Sequence, residues 1–113
     1  MAAAIPNVRS LTAEERCLLE WLLTPRAAEY MGQMADATVV SRCSCGCPTI
    51  DLAVKGVRGH GRSDILADVA GISPEGVRVG VFVHAREGLL SELEVYSITG
   101  DEPYTLPRIE DLS

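Results

Sequence analysis

Lysine is almost missing from this chain: Lys55 stands beside nine arginines among 113 residues. Long hydrophobic runs are missing too. The longest uncharged apolar stretch, Val79 to Ala85, falls far short of the roughly 20 residues a membrane span needs, so no membrane association is expected. The opening MAAAIPNVRS has no basic stretch leading into an apolar one, as a secretory leader would. With four cysteines and no such signal, a reducing, cytoplasmic setting with free thiols is the expectation. No nucleophile-elbow serine and no G-x-x-x-x-G-K-[ST] phosphate loop occurs, and a non-enzymatic role is expected.

What is present suits a small globular protein. Apolar residues make up 47% and charged residues 23%, which excludes a disordered or collagen-like chain. The length fits one domain spanning residues 1–113. Its net charge of −6 is unevenly spread. Up to Arg86 acids and bases balance at nine each, whereas beyond it seven acids face Arg108 alone. An acidic surface repels phosphate backbones, which argues against nucleic-acid binding and favours a basic protein partner.

Two kinds of periodicity divide the chain. Within LTAEERCLLEWLL, Thr12 and Glu15 form a capping box directly ahead of an apolar run in which Leu18, Leu19, Leu22 and Leu23 make a helical stripe. Pro25 is expected to end this helix at Thr24 and open a second one, with Ala27, Tyr30, Met31 and Met34 on its buried face. Residues 8–36 therefore read as a helical hairpin. From Ala37 onward TVVSRC, TIDLAV, DILADVAGI, VRVGVFVHA and LSELEVYSI alternate or run β-branched between turn residues. The expected fold is α+β, with the hairpin on one face of an antiparallel sheet of about five strands over 37–98. Residues 99–113 read as an irregular acidic tail.

Register within the last hairpin follows from which residues must share a face. A two-residue Glu87-Gly88 turn sets Val81 opposite Glu94 and Val83 opposite Glu92, which mixes the faces. A three-residue Arg86-Glu87-Gly88 loop pairs Val79 with Val95 and Val81 with Leu93. Arg78, Phe82, His84, Glu92, Glu94 and Tyr96 then share the other, wetter face. The three-residue loop is the expectation.

Three constellations could carry chemistry. The first is RCSCGCP, with Cys43, Cys45 and Cys47 each two residues apart. On an extended strand their Cα atoms stand about 6.6 Å apart on one side, too far for a shared metal unless the chain turns, which Gly46 and Pro48 permit. The expectation is a structural strand: Cys45 and at least one neighbour buried, no disulfide, and no metal. The alternative is zinc or copper(I) on these thiols, with Cys17, His60 or His84 as a fourth ligand, or a thiol redox sensor. The second constellation is KGVRGHGRS, where Lys55, Arg58, His60 and Arg62 among three glycines could meet an anion. In the third, Glu92 and Glu94 with His84 and Arg78 could do acid–base work if enclosed, although cross-strand ion pairing accounts for them more simply.

LTAEERCLLEWLL, CSCGCPTIDLAV and GLLSELEVYSITGDEPYTLP together resemble a family of small, largely uncharacterised bacterial α+β proteins, over about residues 9–107. In size, charge and layout the chain also resembles, more loosely, the immunity proteins that accompany bacterial toxins. Neither resemblance implies a catalytic residue or a cofactor. The functional expectation is an acidic interaction protein, of which an immunity role would be one form. It would engage a basic protein through Glu92, Glu94, Tyr96, Asp101 and Glu102.

Overall fold

Residues 4–113 are described by the structure, a computed structural model. It is α+β. The first departure from expectation comes at the start, where Ala4–Ser10 form a strand, β1, and not the first turns of a helical hairpin. β1 pairs with the chain that follows the helices, a long-range partner no local periodicity reveals. Helix α1 spans Ala13–Arg26, and Thr12 caps it as expected. The Thr12 hydroxyl accepts from the Glu15 backbone N–H at 3.1 Å, and the Glu15 carboxylate accepts from the Thr12 N–H at 2.9 Å.

Glu15 also ties the two elements together. Both its oxygens take a guanidinium nitrogen of Arg9, on β1, at 2.8 Å. Burial pushes the Glu15 carboxyl up, yet Arg9 and Thr12 outweigh it and hold the group below its ordinary value.

Pro25 does not end α1, which runs two residues beyond Thr24. Pro25 forgoes a hydrogen bond and crowds the carbonyl four residues back, but it sits next to the last residue of the helix, where little helix remains to be disrupted. Side chains satisfy neighbouring carbonyls there: the Thr24 hydroxyl donates to Glu20 at 2.7 Å and Arg26 to Leu22 at 3.2 Å. The second helix, Ala28–Asp36, is a 3-10 helix. Gln33 anchors it to the last hairpin, donating to the Gly88 carbonyl at 2.7 Å and accepting from the Leu90 N–H at 2.9 Å.

Five further strands fall where the alternation places them: β2 (Ala37–Cys43), β3 (Ile50–Val54), β4 (Ser63–Ile72), β5 (Arg78–Arg86) and β6 (Leu89–Ser97). With β1 they form one antiparallel sheet of six strands, ordered β1-β2-β3-β6-β5-β4. Only two residue pairs, Ile50 with Leu93 and Asp51 with Glu92, join β3 to β6. Beyond them the Thr49 hydroxyl replaces a backbone rung, exchanging hydrogen bonds with the Val95 N–H and carbonyl at 2.9 and 3.0 Å. The sheet is thus two three-stranded halves meeting at a short seam.

One face of the sheet is apolar. Val79, Val81, Val83, Leu93 and Val95 meet Leu18, Leu19, Leu22 and Leu23 of α1 in the core. Burial of each leucine contributes about 2 kcal/mol. The opposite face carries Phe82, His84, Glu92, Glu94 and Tyr96, all half-buried. This division was expected, but the chain reaches it differently.

The hairpin uses a two-residue turn, with Glu87 and Gly88 both at positive φ and Arg86 paired to Leu89. One rung later the register slips, so that Ala85 pairs with Leu90 but His84 with Glu92. Ser91 is the bulged residue. A bulge corrects the faces as well as a longer loop does, because either device shifts pairing by one. The resulting pairs are Val81 with Val95 and Val83 with Leu93, in place of the expected Val79–Val95 and Val81–Leu93.

After β6 the chain is irregular as far as a 3-10 turn at Ile109–Asp111. Leu112 then bridges to Gly71 on β4, and Ser113 exchanges backbone hydrogen bonds with Ala70 at 3.0 and 3.2 Å.

Candidate functional site

The cysteines do not lie along a strand. β2 ends at Cys43, and a turn follows in which the Gly46 N–H donates to the Cys43 carbonyl at 3.2 Å. Gly46 takes φ +87°, a conformation open to glycine at little cost. This turn overturns the expectation of a buried row of sulfurs: Cys45 is exposed, and Cys43 and Cys47 are half-buried. Buried extended cysteines would need pairing to continue past Cys43, and the turn ends it.

What the turn does is gather the thiols. The three sulfurs lie within 4.8 Å of one another, with Cys43 Sγ and Cys45 Sγ at 3.0 Å. The Cys47 N–H also points at Cys45 Sγ, at 3.3 Å. All four cysteines are free thiols. Cys17 is on the exposed side of α1, beside Leu106 and Ile109, and takes no part in the cluster. His60 and His84 are likewise outside it, so none of the three expected fourth ligands joins the thiols.

The thiols are electrostatically unequal. Hydrogen bonds with Cys43 and Cys47 push Cys45 up to about 11, so it keeps its proton. Burial pushes Cys47 up, but donors from the Thr49 backbone and hydroxyl and from the neighbouring thiols outweigh it. Cys47 is held below the ordinary thiol value. Beside it Tyr104 is pushed up to about 12, first by burial and then by the Cys47 charge and hydrogen bond. Tyr104, Glu102 and Pro103 close a cavity of about 120 Å³ over Cys45, Gly46 and Cys47. Tyr104 and its role went unread in the sequence, because the tail has no periodicity to place it.

A second polar cluster occupies the open sheet face. His84 on β5 lies opposite Glu92 on β6. Its Nε2 meets Glu94 Oε1 at 2.8 Å, and its Nδ1 meets Ser63 Oγ on β4 at 2.6 Å. Asp51 on β3 pairs with Glu92 across the seam and accepts from the Ser41 hydroxyl. Burial, with Glu94 and Asp51 adding repulsion, raises the Glu92 carboxyl against the pull of His84 and Arg86. Ser63 and Asp51 were not read as site residues, since only the register brings them here. Arg78, at the far end of β5, is exposed and pairs with Ile72.

The glycine-rich segment divides. Arg58 and His60 line a cavity of about 300 Å³ with Asp51, Arg86 and Glu92. Lys55 and Arg62 are exposed and do not line it. Its arginines are partly met by acids, with Arg58 3.8 Å from Asp51 and Arg62 3.8 Å from Asp64, and the backbone N–H of His60 donates to the Glu87 carboxylate at 2.9 Å. Of the expected partner-binding residues, Glu92, Glu94 and Tyr96 share the open face. Asp101 and Glu102 follow β6, with Asp101 bonded to Thr99 and Glu102 at the thiol cavity.

Among the described residues no helix is long and apolar enough to cross a membrane. No protein-family model, curated protein or solved structure matches the chain.

Proposed function

We propose that the protein binds a thiophilic metal ion, zinc or copper(I), through Cys43, Cys45 and Cys47. One observation carries this reading: three free sulfurs within 4.8 Å of one another on a solvent-accessible turn. Zinc holds thiolates at about 2.3 Å, so ligand sulfurs around it stand nearly 4 Å apart, and small side-chain rotations suffice. A tetrahedral zinc would take its fourth ligand from water or from Glu102, which lines the same cavity. Copper(I) would need no fourth ligand. Cys47, already biased toward thiolate, is the natural first ligand, and the Cys45 proton must leave. Affinity should therefore climb with pH.

Titration of the reduced protein with zinc and with copper(I) under a competing chelator tests the reading. One equivalent bound, with affinity lost in the Cys43→Ser/Cys45→Ser/Cys47→Ser variant, is expected. Equal uptake by the variant would overturn it.

A second reading, an acidic interaction protein of immunity type, draws on the sheet face opposite the apolar one, where Glu92, Glu94 and Tyr96 sit half-buried. Reversing Glu92, Glu94, Asp101 and Glu102 to lysine should abolish binding to a basic protein partner. Undiminished binding would remove that reading.

A further inference from the structure

We infer that His84, Glu92 and Glu94 form a second metal site, for a divalent first-row ion that prefers nitrogen and oxygen ligands. The site is chemically and spatially separate from the thiols and does not depend on them.

The imidazole nitrogen and the two carboxylates offer ligand atoms all within 4.8 Å of one another. An ion bound at about 2.1 Å from each needs donors some 3–3.5 Å apart, a contraction that side chains can supply. One imidazole with two carboxylates suits manganese, iron(II), cobalt or zinc. The bulge at Ser91 is what creates the set: without it Glu92 and Glu94 would point to the apolar side, away from His84.

Two features of the surroundings suit a metal. First, Ser63 Oγ holds His84 Nδ1 at 2.6 Å. A hydroxyl both donates and accepts. With Nε2 protonated toward Glu94, Ser63 donates to Nδ1; with Nδ1 protonated, Ser63 accepts, and the Nε2 lone pair is free to bind a metal. The ring can switch tautomers without losing its support, as a metal-ligating histidine with an outer partner requires.

Second, the charges do not close. Asp51, Glu92 and Glu94 converge from two strands; Asp51 has Arg58 at 3.8 Å and Glu94 has the imidazole, but the Glu92 carboxylate has no such partner. Among the described residues no hydrogen bond or ion pair reaches Glu92, although it is half-buried and directly opposite His84. A dication would meet that deficit. Glu92 also lines the cavity of about 300 Å³ under the glycine-rich loop, which leaves room for water on the ion's remaining positions.

The test uses cobalt(II) and manganese(II) on the full chain carrying Cys43→Ser, Cys45→Ser and Cys47→Ser, so that the turn offers no thiolate. Saturable uptake of one equivalent is expected, with a visible cobalt spectrum lacking sulfur charge transfer and a metal-dependent rise in melting temperature. His84→Gln and Glu92→Gln in that background should each weaken binding at least tenfold, and Ser63→Ala about tenfold. Glu92→Gln removes a half-buried charge with no hydrogen-bond partner and should fold at least as well as its parent, so its loss of binding cannot be ascribed to unfolding. No saturable uptake by the thiol-free chain would overturn the inference. So would affinity unchanged by both His84→Gln and Glu92→Gln.

Discussion

The thiol turn and the imidazole face lie on the same sheet but are built on different principles. Cys43, Cys45 and Cys47 come together within five residues, through one turn that needs little more than a flexible Gly46. His84, Glu92, Glu94, Ser63 and Asp51 come together from four strands, and their meeting depends on the register of every pair between them. A locally built cluster can be altered without disturbing the fold. A register-built cluster cannot, because its geometry and the packing beneath it are set by the same pairs.

The sharpest way to break this contrast lies on β5. Gly80 sits opposite Tyr96, whose ring stacks on Phe82 at 5.4 Å between centroids. A Cβ at Gly80 would run into the Tyr96 ring. Gly80→Ala should cost roughly 1–3 kcal/mol of stability, read as a fall in melting temperature on thermal unfolding. A variant melting with wild type would show that the open face is not rigidly registered.

A smaller effect, and one with a sign, belongs to Glu92. Its carboxyl is raised in the folded protein above the ordinary 4.5, so ionising it opposes folding. Glu92→Gln should melt above wild type at pH 7. Its advantage should shrink as the pH falls through the raised value and vanish below 4.5, where wild type too is neutral at this position. An advantage that instead grows on acidification would reverse the assignment.

The smallest effect belongs to the turn. Cys45 is exposed, so Cys45→Ser buries no hydroxyl and should change stability by less than about 0.5 kcal/mol, in place of the larger loss a buried strand cysteine implies. A drop of several degrees in melting temperature would mean the thiol turn is coupled to the core after all.

The same distinction explains how much could be read from the chain. Helix α1, its cap and its leucine stripe were legible because their signals lie three and four residues apart. So were the five strands from Ala37 onward and the two faces of the last hairpin. β1 was not, since its seven residues carry no alternation strong enough to oppose the helix that follows, and only pairing with β2 makes them a strand. The cysteine motif was visible but misplaced, because whether β2 runs on or turns after Cys43 is settled by a single glycine. The partnership of Ser63 and Asp51 with His84 and Glu92 was invisible. A bulge at Ser91 and a two-pair seam fix it, and neither leaves a local mark.

The margins of the sheet bear on whether copies of this protein can join into a fibre. An open sheet offers unpaired backbone at its two outer strands and can grow by recruiting another chain there. β1, at one margin, carries Pro6, which has no N–H to offer, and its pairing with β2 is interrupted between Pro6 and Arg9. β4, at the other, is covered at one end by Leu112 and Ser113. Its uncovered end presents Asp64 and Asp68, both exposed, so a second copy laid antiparallel alongside would bring like charges together. At both margins, then, the described residues carry features that discourage a second chain from pairing there.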